Sequence, residues 1–493
     1  MSPSTKIVEP LEVKERPQRE MFGVRLTSVW LWSIVAVGAA LRLVALGRKS
    51  FWLDEIASVW TARLPGPDFW SVLWHSEGNM ALYYLLLRSW LHLGVGEAIV
   101  RTLSAIIGIA SIPVMYALAN RLFGERTARL ATLFFALNGC AIAVSQEARG
   151  YSLLVLGVVA STYLFVRLVE RPAMELAFAY GAVTGLTLYC HYFGMLVPAA
   201  QAVSLFALPP EKRPWKQMVL PACVIALAAI PVLWMIHIQD IGHIAWVQKP
   251  SWLELYHLGV YLAAGGGKAV GAILLLVELS LLALFLRKLK VLWPERERDL
   301  GCWRYSLVAG CLFTPAFISL LVSIVRPIFY HRFLIISLPA WVLMTALGAE
   351  EIRSRSWRWA CIACVCALSL VSAIASYQRV QEDWRGVTSY LMEQARPEDR
   401  VLYYRGVGYF AAEHYRDWLP SGSALRPQGI RVEAVDSDWQ KEIDGAARVW
   451  LVLYRAKRDD PPSRAIDASL RNRYKVVQEV PFRAVTVVEY AEK

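Results

Sequence analysis

Long apolar runs separated by short polar segments form the main pattern of this chain. About eleven runs approach the length, roughly 20 residues, at which a helix crosses the hydrocarbon core of a bilayer. The pattern therefore predicts a polytopic α-helical membrane protein. The predicted spans are 27–46, 98–118, 129–145, 151–168, 174–190, 192–208, 218–237, 268–286, 305–325, 332–348 and 359–376.

The segment between the first two spans, 47–97, has a different pattern. Its second part, 68–96, is apolar but is interrupted by two histidines, a glutamate and an arginine. We expect one or two amphipathic helices here that lie along the membrane surface. A twelfth span is the alternative, but it would reverse every later loop and place the basic clusters outside.

The composition changes again after residue 376. Short β-like runs alternate there with helical and polar stretches, which is typical of a small α/β domain. We predict an N-terminal tail over 1–26, a transmembrane domain over 27–376 and this α/β domain over 377–493. The β-like runs are 400–404, 449–454 and 474–490.

Composition excludes an ordinary soluble enzyme. The 493 residues are 56% hydrophobic and only 19% charged, which is typical of a membrane protein. The net charge of +12 comes from short basic clusters between apolar runs, as in cytoplasmic loops, and not from a nucleic-acid-binding face. None of the eight cysteines lies after residue 376, so no disulfide framework is predicted.

The basic clusters also predict orientation, because lysine and arginine accumulate on the cytoplasmic side. With a cytoplasmic N-terminus, every inner loop is short and basic. The outer side then holds most of the polar turns that carry candidate chemistry, together with the C-terminal domain. The predicted location is the inner, or plasma, membrane.

The candidate catalytic residues are Asp54 and Glu55, in the stretch FWLDEIASVWTAR. These two adjacent carboxylates lie where the chain is predicted to leave the membrane and meet water. A charged pair is costly within lipid but not at its surface. A carboxylate there can take a proton from an acceptor hydroxyl while that oxygen attacks an activated carbon. The alternative is a pair that caps the helix beginning near Ile56.

The candidate substrate-binding residues lie in four other outer turns or loops. Guanidinium groups at the membrane boundary suit a phosphate on a lipid carrier, and aromatic faces in the 238–267 loop suit a lid over a sugar head group. The alternatives are a structural ion pair, an interfacial histidine and a snorkelling arginine. The candidates are Glu147, Arg149, Tyr151, His191, Tyr192, Lys249 and Arg332.

Five motifs in order resemble the GT-C superfamily of membrane glycosyltransferases. The similarity is to the branch that contains protein O-mannosyltransferases and lipid A aminoarabinose transferases, and it covers most of 27–350. The motifs are FWLDEIASVWTARLP, ALYYLLLRSWLHLGVGEAIVRTLSAIIG, VSQEARGYSLL, LYCHYFG and RPIFYHRFLIISLP.

This resemblance implies a sugar donor carried on a polyprenyl phosphate and an inverting transfer outside the inner membrane. Asp54 matches the general base, with Glu55 beside it. The residues that match Glu147, Arg149, His191 and Arg332 line the same cavity in the family, with the arginine near the carrier phosphate. The implied acceptor is lipid A, a polysaccharide, a glycolipid or a protein, with membrane lipids as further partners and no nucleic acid.

The resemblance assigns no certain cofactor and no metal ligand. Asn79 and Met80 stand where many relatives have His-Pro, which removes one potential ligand. His75 and Glu77 are nearby substitutes, so a divalent metal is left open.

We therefore predict a glycosyltransferase that moves one sugar from a polyprenyl phosphate to an extracytoplasmic acceptor. The sequence is also compatible with two other functions. One is a transporter that flips a lipid-linked sugar, and the other is an inactive relative that scaffolds a cell-envelope complex through its C-terminal domain.

Overall fold

The computed structural model describes residues 29–239, 246–267, 269–296, 300–418, 428–432, 439–455 and 460–493. Most of them are helical. The α-helices are α1 Val29–Leu43, α2 Leu53–Arg63, α3 Gly66–His75, α4 Ala81–Trp90, α5 Glu97–Phe123, α6 Glu125–Leu137, α7 Gly139–Ser145, α8 Tyr151–Glu170, α9 Met174–Leu188, α10 Leu196–Ser204, α11 Trp215–Ile238, α12 Trp252–Ala264, α13 Ala269–Leu292, α14 Leu300–Val325, α15 Leu338–Glu350, α16 Arg355–Tyr377, α17 Trp384–Gln394, α18 Val407–Trp418, α19 Trp439–Glu442 and α20 Pro461–Arg473.

Seven stretches of described helix are long and apolar enough to cross a membrane. The bent pair α6 and α7 makes an eighth candidate span, with a bend of 54° between the two helices. Three shorter apolar stretches lie at α1, at α9 and over Tyr192–Ala207. The predicted multi-pass helical fold is confirmed, whereas the total of eleven spans stays a prediction.

Asn138 accounts for the break between α6 and α7. Its side-chain oxygen accepts the backbone N–H of Ala141 and so caps α7. Its amide nitrogen donates to the carbonyl oxygens of Leu262 and Ala263, which lie in the last turn of α12. One side chain therefore stabilises the start of one helix and the end of another inside the bundle.

The segment 47–97 contains α2, α3 and α4. The last two have ten residues each, about 15 Å of helix, which is too short to cross a bilayer. Arg88 on α4 donates to the carbonyl oxygens of Ala62 and Leu64 and thereby fixes α4 against the end of α2. The sequence predicts one or two amphipathic helices over 68–96, and the described residues form two, α3 and α4. Their position along the membrane surface stays a prediction.

The C-terminal part forms a five-stranded mixed sheet. The strands are β1 Arg400–Tyr404, β2 Gln428–Val432, β3 Arg448–Tyr454, β4 Tyr474–Phe482 and β5 Val485–Glu492, in the order β2-β1-β3-β5-β4. β1 is parallel to β2 and β3, while β5 is antiparallel to β3 and β4. The predicted 474–490 run is a hairpin of two strands, and β2 is an addition to the predicted set.

This C-terminal sheet and its helices contact the loop that precedes α2. Glu382 accepts the backbone N–H of Leu53 at 2.9 Å, and it also accepts hydrogen bonds from Trp384, Tyr454 and Arg455. Its side chain is fully buried. The first turn of α2 is therefore completed by a residue from the far end of the chain.

A second set of contacts holds the same loop. Arg385 forms an ion pair with Glu97 at 3.0 Å and donates to the carbonyl oxygens of Gly47 and Arg48. The Tyr415 hydroxyl donates to Glu97 and accepts the backbone N–H of Phe51. The C-terminal part is thus attached directly to the segment that carries the candidate catalytic residues.

Candidate active site

Asp54 lies in the first turn of α2, where the helix dipole favours a negative charge. Its side chain is 44% exposed. The charged group nearest to it is Arg149, whose Nη2 lies 3.9 Å from Asp54 Oδ2. This separation is at the limit of an ion pair, so Arg149 leaves the carboxylate of Asp54 only weakly paired.

Glu55 has the opposite environment. It is buried, and Arg101 donates to its two carboxylate oxygens at 2.8 and 2.6 Å. The backbone N–H groups of Ala148 and Trp52 donate to the same carboxylate at 2.8 and 3.3 Å. A carboxylate accepts about four hydrogen bonds, so no lone pair of Glu55 is left for a substrate.

Arg149 lies in the turn between α7 and α8 and is almost enclosed. Its guanidinium donates to the Asp54 carbonyl, the Ser58 hydroxyl and the Tyr84 hydroxyl at 3.2 to 3.3 Å. Burial lowers the pKa of Arg149, but Tyr84 and Asp54 raise it by a larger amount, so the net pKa lies above the ordinary value. Arg149 is therefore a fixed positive charge beside Asp54.

Arg332 lies directly before the short helical turn Phe333–Ser337. It forms an ion pair with Glu147, and its guanidinium carbon lies 5.1 Å from the ring of Trp52 and 5.2 Å from that of Tyr151. Burial lowers the pKa of Arg332, but Glu147 and three neighbouring tyrosines together raise it more, so the net pKa is well above normal. One alternative open from the sequence is a structural ion pair of Glu147 with Arg149; among the described residues Glu147 pairs with Arg332.

His191 is buried against Tyr151 and Phe333, with ring centroids 5.9 and 5.0 Å apart. Burial lowers its pKa to about 3, and the charge on Arg149 acts in the same direction. The neutral ring accepts the Phe193 N–H at Nδ1, which leaves the proton on Nε2. His191 therefore presents a single N–H donor.

Four buried nitrogen donors around Asp54 have no hydrogen-bond partner among the described residues. They are Nε1 of Trp52, Nε of Arg149, Nε2 of His191 and Nε of Arg332. The stacking contacts above connect Trp52, Arg332, Tyr151 and His191 into one wall. Unpaired buried donors are costly, so this wall with three of them, together with Arg149, which carries the fourth, is suited to an anion with several oxygens.

The other predicted site residues lie outside this wall. The Tyr192 hydroxyl donates to the Gln239 side chain, and its backbone N–H donates to Asn79. Lys249 is exposed on the segment that leads to α12. Tyr151 and His191 therefore join Asp54, Arg149 and Arg332 in the described geometry, whereas Tyr192 lies in a neighbouring cluster.

Sequence reasoning missed several residues that contact the site. Trp52 stacks on Arg332, Tyr84 accepts from Arg149 and donates to Glu77 at 2.9 Å, and Gln381 donates to Glu147. Trp52 adjoins Asp54 in the predicted motif and could have been found there. Gln381 is 234 residues away from Glu147 in the chain, and no local pattern connects them.

A groove of about 440 Å³ lies on the other face of α2. Ile56, Val59, Trp60 and Arg63 line it from α2, and Phe410 on α18 lines it from the C-terminal part. These α2 positions are roughly 140° to 240° around the helix from Asp54, at 100° per residue. The groove is therefore separate from the wall of donors.

The suggested metal ligands near Asn79 are not assembled in the described structure. His75 is exposed and its Nδ1 contacts the carbonyl oxygen of Ser71, while Glu77 is bonded to Tyr84. Within the described ranges, one set of three metal-ligating side chains comes together elsewhere, at Glu254, His257 and His331.

Comparisons with known proteins show what this chain is similar to. The family model described as dolichyl-phosphate-mannose-protein mannosyltransferase matches residues 80–237. The structure of ArnT from Cupriavidus metallidurans bound to undecaprenyl phosphate is similar over 93% of this chain and 98% of that chain, with a TM-score of 0.58 and 14% identity. This chain has the fold of a GT-C membrane glycosyltransferase.

The Archaeoglobus fulgidus oligosaccharyltransferase has a similar fold. Its complex with Zn and sulfate matches over 94% of this chain and 73% of that chain, with a TM-score of 0.54 and 11% identity. A second structure of that enzyme, AglB, contains an inhibitory peptide and a dolichol-phosphate. No curated protein matches this chain by sequence. The predicted GT-C resemblance and the enzyme class, glycosyltransferase, are confirmed.

Proposed function

We propose that this GT-C protein transfers one sugar from a polyprenyl phosphate to a hydroxyl group of an extracytoplasmic acceptor, with inversion at the anomeric carbon. The observation that carries the proposal is the set of four buried nitrogen donors without partners beside the half-exposed Asp54. A phosphate supplies several acceptor oxygens for such donors, and Asp54 supplies the base.

The donor phosphate is assigned to the wall that contains Arg332, Trp52 and His191, and to Arg149. Two guanidinium groups give it fixed positive charge, because both arginines have raised pKa values. Charge-assisted hydrogen bonds to phosphate are stronger than neutral ones, and they stabilise the charge of a leaving group. The undecaprenyl phosphate in the ArnT structure and the dolichol-phosphate in AglB support this assignment.

Asp54 is assigned as the general base. Its side chain is the more exposed carboxylate of the adjacent pair, and its ion pair with Arg149 is long. Glu55 is assigned as a positioning residue instead of a second catalytic acid, because all its acceptor capacity is used. It holds α2 against both α5 and the turn that carries Arg149.

The chemical step follows from this placement. The acceptor oxygen forms a bond to the anomeric carbon while its proton moves to an Asp54 carboxylate oxygen. The bond between that carbon and the phosphate oxygen breaks on the opposite face, and the polyprenyl phosphate leaves with the electron pair. Arg332, helped by Arg149, stabilises the charge on the departing phosphate.

The described residues also support a membrane arrangement. We assign 27–376 to the membrane domain and 377–493 to an outer domain, since α16 ends at Tyr377 and the sheet follows it. The basic inner loops predicted from the sequence place this side away from the cytoplasm. Tyr192 and Lys249 remain predicted contacts of the sugar or the acceptor.

The test measures sugar transfer in reconstituted vesicles from a panel of polyprenyl-phosphate sugars to membrane extracts. Wild type should form product, and Asp54→Asn should form at least about a hundredfold less, because a positioned general base contributes 10² to 10⁴ in rate. Asp68→Asn is the matched control, since Asp68 is an exposed acid in the first turn of the neighbouring α3.

Each outcome separates the proposal from its rivals. Equal product from wild type and Asp54→Asn would remove Asp54 from the mechanism. Movement of the donor across the bilayer without any transfer would indicate a flippase. Binding of a cell-envelope partner by wild type, with neither transfer nor donor movement, would indicate a scaffold.

A further inference from the structure

The groove on the other face of α2 takes no part in the proposed chemical step. It lies between α2 and α18, so one side belongs to the helix that carries Asp54 and the other to the C-terminal part. Its volume is about 440 Å³. Sites for small molecules have volumes of about 300 to 1,000 Å³, so the groove is large enough to hold part of a substrate.

Aromatic rings from both sides meet in this groove. The ring centroids of Trp60 on α2 and Phe410 on α18 lie 5.8 Å apart. Both side chains remain accessible, with 44% and 37% of their surfaces exposed. The apolar side chains of Ile56 and Val59 line the groove beside them. Exposed aromatic side chains that lie together in a concave surface are typical of a binding site.

Charged groups border these rings, and their balance is positive. Arg63 lines the groove, and the guanidinium carbon of Arg431 on β2 lies 5.4 Å from the ring centroid of Phe410. Both arginines are exposed, and neither forms an ion pair within the described ranges. Glu413 also lines the groove, but it pairs with Arg416. The groove therefore offers two guanidinium groups to an anionic ligand.

The combination of rings and guanidinium groups selects the class of ligand. A hydrocarbon chain would cover the charged groups of Arg63 and Glu413 without giving them hydrogen bonds, which is costly. A saccharide has an apolar C–H face that can pack on Trp60, and it has hydroxyl groups that can form hydrogen bonds at the edges of the groove. A carboxylate or phosphate ester on that saccharide would pair with the guanidinium groups.

The position of the groove relative to Asp54 sets the size of this saccharide. Trp60 lies six residues after Asp54 on α2, which is about 9 Å along the axis of a helix that is about 10 Å wide. The two side chains also point to different sides of that helix. A single sugar cannot lie in the groove and present a hydroxyl group to Asp54, so the saccharide must be a chain of several sugar units.

We propose that the groove binds the distal part of an acidic oligosaccharide acceptor while a hydroxyl group nearer its end reaches Asp54. This inference rests on the proposed transfer, for which it names the acceptor class. Trp60 and Phe410 hold the sugar rings, and Arg63 and Arg431 hold the acidic groups. Because the groove is separate from the wall of donors, binding of the acceptor can be measured without the sugar donor.

The first test measures binding to the full-length wild-type chain in lipid nanodiscs, without donor and without a glycoside detergent that could occupy the groove. The acidic probes are a hyaluronan hexasaccharide, which carries carboxylates, and a phosphorylated oligomannose of similar length. Chitohexaose is the neutral probe. At least one acidic probe should bind with a Kd below about 1 mM and at least about tenfold more tightly than chitohexaose. Which acidic probe binds distinguishes a carboxylate from a phosphate ester.

Variants of the groove locate this binding. Trp60→Ala and Phe410→Ala should each weaken it at least about tenfold, whereas Trp60→Phe should keep most of it because an aromatic ring remains. Trp70→Ala is the matched control, since Trp70 is 51% exposed on the neighbouring α3 and does not line the groove. Arg63→Gln combined with Arg431→Gln should remove the preference for the acidic probe over chitohexaose.

Three results would overturn the proposal. In the first, neither acidic probe binds at about 1 mM. In the second, Trp60→Ala and Phe410→Ala bind as tightly as wild type. In the third, an acidic peptide of equal charge binds in the groove more tightly than both acidic saccharides, which would assign the groove to a protein chain.

The transfer assay in vesicles separates this inference from the proposed function. Trp60→Ala should raise the apparent KM for the acceptor extract at least about tenfold and leave the KM for the polyprenyl-phosphate donor unchanged, because the groove contacts only the acceptor. Saccharide binding without any transfer by wild type would contradict the proposed function alone. Transfer with an unchanged acceptor KM in Trp60→Ala would contradict the acceptor groove alone.

Discussion

Asp54 and Glu55 are adjacent in the chain, but their surroundings are opposite. We call the surroundings of Asp54 the cleft and the ion pairs and hydrogen bonds of Glu55 the network. Asp54 is half-exposed and has one long ion pair, whereas Glu55 is buried and accepts four hydrogen bonds. The two acids have the same functional group. Their difference shows that the neighbours from α5 and from the 146–150 turn decide which acid is available for chemistry.

The two acids also have different roles, one in stability and one in turnover. Glu55 and Arg101 connect α2, α5 and the loop at 46–50, because Arg101 also donates to the carbonyl oxygens of Leu46, Lys49 and Ser50. Asp54 lies on α2, which these contacts hold in place. We therefore expect variants of the network to fail in stability and variants of the cleft to fail in turnover.

The largest expected effect is on stability. Glu55→Ala or Arg101→Leu leaves one buried charge without its partner, which costs about 3 to 5 kcal/mol of unfolding free energy. We expect a large fall in melting temperature and in the yield of folded protein, measured by thermal unfolding in detergent. Asp54→Asn should melt within a few degrees of wild type. If Asp54→Asn melted as low as Glu55→Ala, the contrast between the two acids would be wrong.

Variants of Arg332 test the proposed contact with the donor phosphate. Arg332→Met should lower kcat/KM for the polyprenyl-phosphate donor about 10- to 100-fold, since hydrogen bonds to charged groups contribute roughly 1.5 to 3 kcal/mol. Arg332→Lys should recover part of the loss, because it keeps the charge but not the planar fork. Initial rates over a range of donor concentrations measure both.

Arg326→Met is the control for the Arg332 variants, because Arg326 lies six residues earlier in the same turn. Its kcat/KM should remain near that of wild type. An equal loss in both arginine variants would indicate a general disturbance of the turn instead of a phosphate contact.

The lowered pKa of His191 makes the stability of the protein depend on pH. Its native pKa is about 3, against 6.5 for an ordinary histidine, so the unfolded chain binds a proton that the native chain excludes between those values. Stability should therefore fall as pH drops below 6.5, by about 2 kcal/mol at pH 5, and should not change from this cause above 6.5.

His191→Gln removes this contribution. The difference between its melting temperatures at pH 7 and pH 5 should be smaller than the same difference in wild type. His92→Gln should keep the wild-type difference, because His92 is exposed. Identical pH dependence in wild type and His191→Gln would show that His191 is not the buried neutral donor described above.

The smallest expected effect concerns Ser58. Its hydroxyl donates to the Asp54 carbonyl at 2.9 Å and lies 3.3 Å from Arg149, so it helps to align the two. Ser58→Ala should lower kcat about two- to tenfold, because a hydrogen bond contributes roughly 0.5 to 1.5 kcal/mol. Ser71→Ala, at an exposed position on α3, should leave kcat unchanged in the same assay.

The membrane part of the fold was readable from the sequence because apolar length is a local property. Most predicted spans coincide with described helices within a few residues, as at α5 and α16. The 13-residue α12 was interpreted as part of a lid loop. Its aromatic and polar residues lack a long apolar run, and its last turn accepts a hydrogen bond from Asn138, more than a hundred residues earlier.

The site could be predicted only in part, because a local pattern identifies single residues but not their partners in the fold. Asp54, Arg149 and Arg332 stood out because each lies in a polar turn between apolar runs. The pairing of Arg332 with Glu147 joins positions 185 residues apart, and the cluster of Glu254 with His331 also joins distant segments. Such pairings depend on tertiary packing, which no pattern within one segment records.

The contact between Glu382 and Leu53 has a consequence for how the protein is made. The backbone N–H of Leu53 donates this hydrogen bond to the carboxylate of Glu382, a residue 329 positions later. Ribosomal synthesis runs from the N-terminus, so the helices up to α16 are made before Glu382 leaves the ribosome. The N-terminal turn of α2 therefore acquires its final contacts late in biogenesis, and a nascent chain that stops before residue 382 lacks them.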